Sequence, residues 1–394
     1  MTATATPTTD KPASATKPAT FKDPGLANVI AADTSMSFID GAKGVLEYVG
    51  IDIDSLARNS TFEESVFLLW NRRLPRKSEL DAFVKSIQQE YDIPDAMHGI
   101  IARIPADAVP MQALRTLVSA LALFDPETED GSPEANQRKS IRLLAKTATL
   151  IAAFDRHRKG KSFVKPDKSL NVATNFLWML RGEKPTEAMA KALDVCLILH
   201  ADHGFNASTF AAMVTISTLS DMYSAVTTAI GTLKGPLHGG ANEEVMVMLQ
   251  EIGSIDNVEP YIKGKLERKE RIMGFGHRVY KAYDPRATYL KTFAQQIASD
   301  TGNQKLYEMS RKIEEIMREA VAAKGILPNV DFYSATTYYS LGLDVDLFTP
   351  MFAMSRVSGW CGHCIEYLAE NKLIRPGADY VGPHGVKYVP IEQR

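Results

Sequence analysis

The chain has 394 residues, enough for two domains of about 100–200 residues each. Hydrophobic residues make up 45% and charged residues 23%, with 45 Lys and Arg against 47 Asp and Glu for a formal net charge of -2. This is ordinary globular composition: it advertises no nucleic acid or anionic membrane as partner. The 3 cysteines exclude a disulfide-built secreted scaffold and fit a reducing compartment.

Residues 1–20 are almost entirely Thr, Ala, Pro, Ser and Lys, with too little apolar surface to offset ordering, so a disordered tail is expected over 1–24. The tail has no apolar stretch for a secretory signal and lacks the arginines of a transit peptide; the first is Arg58. No run approaches the roughly 18 apolar residues of a membrane span, so a soluble, cytoplasmic protein is expected. Ser37-Phe38-Ile39 and Val45-Leu46-Glu47-Tyr48, around Asp40-Gly41-Ala42-Lys43-Gly44, predict a small hairpin. Thr61 and Glu64 predict a capping box opening a helix through Trp70. Apolar residues at helical spacing follow at Ile141–Ile151, Met189–His200 and Leu306–Ala320. The small-residue stretch 206–233 predicts closely packed helices or a subunit interface. Strand signals return at Tyr380-Val381 and over 386–391. The fold class is therefore mainly α, with minor β near the ends.

Chemistry concentrates between residues 200 and 376. His238 sits in Gly235-Pro236-Leu237-His238-Gly239-Gly240, just before a helix, whose dipole disfavours imidazolium. A neutral ring there can donate to an enolate oxygen, although, taken alone, the motif fits a histidine merely satisfied within a turn better. Met273-Gly274-Phe275-Gly276-His277 is flanked by Lys269, Arg271, Arg278 and Lys281 and followed by Asp284-Pro285-Arg286. It lacks the third glycine of a dinucleotide fingerprint, and a basic surface turn is the plain alternative. Asp331 stands between Val330 and Phe332, either as a carboxylate base or as the cap of a helix over 334–341. Arg356, on a helix with Thr349 as cap and Pro350 at its first position, and Arg375 complete the set.

Gly-Pro-Leu-His-Gly-Gly-Ala-Asn-Glu at 235–243, Gly-Phe-Gly-His-Arg-Val-Tyr at 274–280 and Asn-Val-Asp-Phe-Tyr-Ser at 329–334 together resemble citrate synthase. His200-Ala201-Asp202-His203 fits as well, and the likeness, to the shorter bacterial members, covers the chain from about residue 25. It implies a two-domain helical fold: a large domain over 25–239 and 343–394, and a small CoA-binding domain over 240–342 that closes over the cleft. It implies condensation of acetyl-CoA with oxaloacetate and hydrolysis of citryl-CoA, the entry step of the tricarboxylic acid cycle. Asp331 would be the base, with His238 and His277 as electrophilic partners. His203, Arg286, Arg356 and a second subunit's Arg375 would hold oxaloacetate. CoA would lie along Arg271, Ile272, Met273, Gly274 and Phe275, with Lys281 and Asn329 close by. The resemblance further implies a homodimer with shared sites, assembly of dimers being left open, and no cofactor or metal beyond acetyl-CoA as co-substrate.

Four rivals stand beside it, one of them a non-catalytic helical scaffold, which would not explain the glycines beside His238 and His277. 2-Methylcitrate synthase would use propionyl-CoA through the same residues. Trp360-Cys361-Gly362-His363-Cys364 matches a thiol–disulfide oxidoreductase motif, but inside a predicted helix rather than at its N-terminus. His200 and His203, three apart, are read as one helical face that can hold zinc, but no second ligand pair accompanies them.

Overall fold

The structure is a computed structural model that describes residues 22–394 except 24, 27 and 278. Nearly all of the expected tail over 1–24 thus lies outside the described residues. Residues 22–33 are a unit of their own, in which Asp23 accepts from the amides of Leu26 and Asn28.

Residues 34–394 begin with the expected hairpin. Strands β1 (Ser37–Asp40) and β2 (Val45–Tyr48) pair antiparallel, Ser37 opposite Tyr48 and Asp40 opposite Val45. The Asp40 carboxylate tightens the turn by accepting from the amides of Ala42 and Lys43, both at 3.1 Å. A further strand, β3 (Ile51–Asp52), pairs with β2 through a two-residue turn in which Val49 and Gly50 both have positive φ.

Sixteen α-helices follow among the described residues: α1 (Ile53–Asn59), α2 (Phe62–Asn71), α3 (Lys77–Gln89), α4 (Asp95–Ile101), α5 (Pro110–Leu121), α6 (Pro133–Arg158), α7 (Val172–Arg181), α8 (Glu187–His200), α9 (Ala207–Ser217), α10 (Met222–Leu233), α11 (Ala241–Ile252), α12 (Ile255–Glu267), α13 (Pro285–Asp300), α14 (Gln304–Val321), α15 (Val330–Ser340) and α16 (Phe348–Leu368). Only half of the expected capping box forms on α2. Thr61 accepts from the Glu64 amide, but the Glu64 carboxylate takes the Ser60 hydroxyl instead of returning to Thr61.

Helix α16 is the spine of the molecule. It packs on α2, α6, α8, α9 and α10, and every residue from Phe348 to Cys364 is buried. Its composition of Met, Ala, Ser and Gly lets neighbours approach from all sides. The helix continues from a 3-10 turn at Val345–Leu347, so Thr349 is not the expected cap. Thr349 instead faces α11: its hydroxyl donates to Glu243 and the Gly239 carbonyl. Pro350 lies in the first turn, where no intrahelical N–H is required. Helices α11 to α15 pack chiefly on one another, and α13 and α15 also touch α8.

The C-terminal strands are not formed. Beyond Leu368 the chain is irregular to a 3-10 turn at Ile391–Gln393. A strand needs a ladder partner for its backbone groups, and this segment meets none within the described chain. Val381 is 88% and Tyr388 81% exposed. No helix among the described residues is long and apolar enough to cross a membrane.

Candidate active site

Three turns and three helices bring the expected residues together. His203 lies in the turn after α8, His238 in the turn before α11, and His277 in the loop before α13. Arg286, Asp331 and Arg356 project from α13, α15 and α16. His203 is buried, with its ring centre 5.4 Å from that of His277 and its Nε2 3.1 Å from the Tyr280 hydroxyl. Tyr280 also lies 4.8 Å from His277 ring to ring, and the Arg286 guanidinium stands 5.8 Å from its ring centre. Phe352 joins the other side: Arg356 lies 4.6 Å over its ring, and His238 packs edge-on at 6.4 Å.

Hydrogen bonding settles which nitrogen of each half-buried histidine carries the proton. The amides of Val279 and Tyr280 both donate to His277 Nδ1, at 3.0 and 3.2 Å, so the neutral ring holds its proton on Nε2. The Ser208 amide donates to His238 Nε2 at 3.3 Å, which leaves the His238 proton on Nδ1. The Ser208 hydroxyl lies 2.8 Å from the same Nε2 and receives the Trp360 indole N–H. The pKa values of both rings are pushed down to about 4, by burial first. Arg356 adds to the effect on His238 and Arg286 to that on His277. The lowered pKa of His238 agrees with the expected neutral ring, with burial and Arg356 as its causes.

Asp331 is half-buried in the first turn of α15, and burial raises its pKa to about 6 against the opposing pull of Arg286. It is not the helix cap. Asn329 fills that role, accepting from the Asp331 amide at 3.0 Å, and the helix starts at Val330 rather than 334. Arg286 is buried and gripped by Asp284 through Nε at 3.0 Å and Nη2 at 2.8 Å. Burial works against its charge, but Asp284 outweighs that and raises its pKa. Arg356 is buried too; its Nε donates to the His200 carbonyl at 2.6 Å, and burial lowers its pKa to about 10. Two buried guanidiniums among neutral histidines are the kind of donors that could hold a multiply charged anion.

Along the expected CoA segment, Arg271 is exposed, Ile272 and Gly274 are buried, and Met273 and Phe275 are half-buried. Gly274 has φ +79°, and a Cβ there would stand 2.8 Å from Phe332 and Val245. Phe275 bridges to Pro328, and the Gly276 amide donates to the Leu327 carbonyl at 2.8 Å. Lys281 is exposed, and its amide ties the loop to the hairpin turn at Gly41. Asn329 is buried, with both side-chain polar atoms engaged within the protein. Arg278 lies outside the described residues. Arg375 is not brought to the cluster: it is exposed and makes no side-chain hydrogen bond or ion pair among the described residues.

Asp202, Ser208, Tyr280 and Asp284 went unassigned in the sequence. Asp284 alone carried a local signal, an Asp before Pro at a helix start. The rival motifs dissolve. Cys361 and Cys364 are fully buried more than three turns into α16, and burial raises the Cys361 thiol to about 12 and the Cys364 thiol well above its ordinary value. His200 ends α8, so His203 beyond it is not on the same helical face. Their partners diverge, His200 Nδ1 to the Cys196 carbonyl and Asp202 to His363.

The sequence matches the model of the citrate synthase C-terminal domain over residues 25–377. It is 52% identical over 371 residues to citrate synthase 2 of Bacillus subtilis (strain 168), covering 94% of this chain and 98% of the relative. Citrate synthase of Deinococcus radiodurans is 49% identical over 370 residues, with 94% and 98% covered. The ternary complex of carboxymethyl coenzyme A and oxaloacetate with citrate synthase from Thermoplasma acidophilum superposes with a TM-score of 0.89 at 37% identity, covering 94% of this chain and 99% of that one. Fold and matches define an enzyme of the acyltransferase class. The chain belongs to the citrate synthase family.

Proposed function

We propose that this enzyme condenses acetyl-CoA with oxaloacetate and hydrolyses the citryl-CoA thioester, giving citrate and CoA at the entry of the tricarboxylic acid cycle. One observation carries the reading: a carboxylate with a raised pKa and two neutral histidines, whose proton-bearing nitrogens are fixed by backbone amides, all feel the buried Arg286 and Arg356 pair, Asp331 both of them, His238 Arg356 and His277 Arg286. The Asp331 carboxylate takes a proton from the acetyl methyl group. His238 Nδ1–H donates to the thioester oxygen as negative charge develops there. The carbon so formed attacks the oxaloacetate ketone, whose oxygen takes up the proton of His277 Nε2. Water then cleaves the thioester and releases CoA. Carboxylate and donors act together because the acetyl methyl is too weak an acid for a carboxylate alone. Acid–base work by side chains suffices, and CoA is a co-substrate rather than a resident cofactor.

Oxaloacetate is held by His203, Arg286 and Arg356, with Arg375 of the partner subunit completing the site. CoA runs along 271–275, its phosphates near Lys281 and Arg271, with Asn329 close by. Residues 240–342 act as a small domain that closes over 25–239 and 343–394 and excludes water. The mutual packing of α11 to α15 supports this, as does Gly342 with φ +82° at the boundary. The partner is a second copy of the chain. Leu219 beside α9 is 73% exposed, and the C-terminal apolar residues lack cover. Arg375 lies on that uncovered segment. A mixed dimer of Arg375→Ala and Asp331→Ala chains is expected to regain one working site; no regain contradicts the sharing. The reduced, buried thiols fit the cytoplasm.

The test is kcat/KM for acetyl-CoA against propionyl-CoA at saturating oxaloacetate. Acetyl-CoA is expected to be preferred, and one methylene is worth only about 1–3 kcal/mol in a pocket. A preference for propionyl-CoA would reassign the chain to 2-methylcitrate formation.

A further inference from the structure

His363 lies between the two buried cysteines of α16, in the one motif that the proposed reaction leaves unused. Its Nε2 donates to Asp202 Oδ1 at 3.0 Å, and neither side chain is exposed. Asp202 immediately precedes His203. The other Asp202 oxygen, Oδ2, accepts from the Ser37 hydroxyl at 2.6 Å and from the Gly204 amide at 3.2 Å, on the far side of His203. Backbone groups on the same turn are gripped as well. The Ala201 carbonyl takes the Gly359 amide and the Ser358 hydroxyl, both at 3.1 Å. Tyr48 OH bonds the Asp202 carbonyl and amide, each at 3.1 Å. Gly359 has no room for a side chain, since a Cβ would stand 2.6 Å from both the Ala201 carbonyl and Asp202 Oδ1.

Among the described residues the His203 ring has one side-chain hydrogen-bond neighbour, Tyr280, on a different loop. Its direction is therefore inherited from the backbone on either side, and the Asp202 carboxylate spans that backbone. We infer that His363 is a positioning residue for the oxaloacetate site, fixing His203 through a buried ion pair with Asp202. This rests on the reading of His203 as an oxaloacetate ligand.

The far side of the His363 ring shows how the pair is kept charged. Nδ1 faces Thr34 Oγ1 at 3.5 Å and Glu366 at 3.7 Å. Glu366 accepts from the Thr34 and Ser35 hydroxyls, both at 2.7 Å, and pairs with Arg72 at 3.0 Å. Burial alone would lower the pKa of His363, but Asp202 and Glu366 outweigh it and raise it to about 9. A carboxylate facing an imidazolium is a stiffer anchor than one facing a neutral ring, because charge-assisted hydrogen bonds are the stronger kind.

The experiment measures oxaloacetate affinity by calorimetry and both KM values in H363L, H363Q, H203A and H203A/H363L. H363L is expected to raise the oxaloacetate Kd and KM about tenfold, with the acetyl-CoA KM within about twofold of wild type. H363Q retains a donor and is expected to recover to within about threefold. The double variant is expected to bind oxaloacetate no more weakly than H203A, since a positioning effect vanishes once the positioned ring is gone. Unchanged oxaloacetate affinity in H363L, or losses that multiply in the double variant, overturns the inference. If H363L does not fold, D202N serves in its place: weaker oxaloacetate binding supports the inference and unchanged binding overturns it. If H203A itself binds oxaloacetate normally, the ligand reading falls and this inference with it. If H203A weakens binding and H363L does not, this inference alone falls.

Discussion

Asn329 ties Gly276 to the helix that carries Asp331. Its Oδ1 accepts from the Asp331 amide at 3.0 Å, while its Nδ2 donates to the Gly276 carbonyl at 2.9 Å. The Asn329 amide adds a bond to the Gly274 carbonyl at 2.9 Å. The proposed base and the loop bearing His277 are thereby one mechanical unit.

Asn329→Asp separates the two roles of that side chain. It keeps the cap acceptor and loses the donor to Gly276. The melting temperature is expected to stay within a few degrees of wild type, while kcat falls about tenfold as the loop loosens against Asp331. Steady-state kinetics beside a thermal melt check this, and unchanged kcat contradicts it.

Ser208→Ala tests the fixed His238 proton. The Ser208 amide still donates to Nε2, so the tautomer is weakened rather than lost. The Trp360 indole loses its acceptor. A kcat loss of about tenfold with little change in oxaloacetate KM is expected from initial rates.

Glu63 gives a stability prediction away from the cleft. It is buried beside Asp194, and burial followed by that neighbouring charge raises its pKa to about 7. A carboxyl that binds its proton more tightly when folded contributes stability below its unfolded pKa and loses it as pH rises through about 7. Glu63→Gln keeps an oxygen for the Val172 amide, which Glu63 accepts at 2.7 Å. The variant is expected to be more stable than wild type at pH 8, by about 2–3 kcal/mol, with the gap closing below about pH 4.5. Denaturant unfolding across that range measures it.

The acid limb of the rate profile follows from Asp331. The base must be ionised, and its carboxyl sits at about 6. The kcat/KM for acetyl-CoA is expected to fall below pH 6 with a slope of one. His238 and His277, at about 4, are neutral throughout that range and add no second limb. A flat profile down to pH 5 contradicts the assignment.

Much of this was legible along the chain, and what was not has physical reasons. The hairpin showed through its alternation and glycine turn. Strand β3 did not, because its turn places Val49 at positive φ where Asn or Asp would have signalled it. The glycines around His238 and His277 mark the turns that carry those two, whereas Arg286 and Arg356 lie on helices without a local signal and were singled out through the family motifs. Asp202 and His363 were not, because the two lie 161 residues apart and no local pattern links them. The Cys-x-x-Cys motif was discounted in the sequence by its place inside a helix, and the burial of both thiols agrees, since reactivity depends on exposure and a helix N-terminus. The C-terminal apolar residues read as strands, but alternation cannot say whether a partner edge exists.

The most direct measurement is the turnover of Asp331→Asn at saturating acetyl-CoA and oxaloacetate, with oxaloacetate affinity measured on the same protein. Removing the base is expected to lower kcat at least a hundredfold, within the 10²–10⁴ range of acid–base contributions, while oxaloacetate still binds. Near-wild-type turnover in that variant would contradict the proposed role of Asp331 and, with it, the central account of this site.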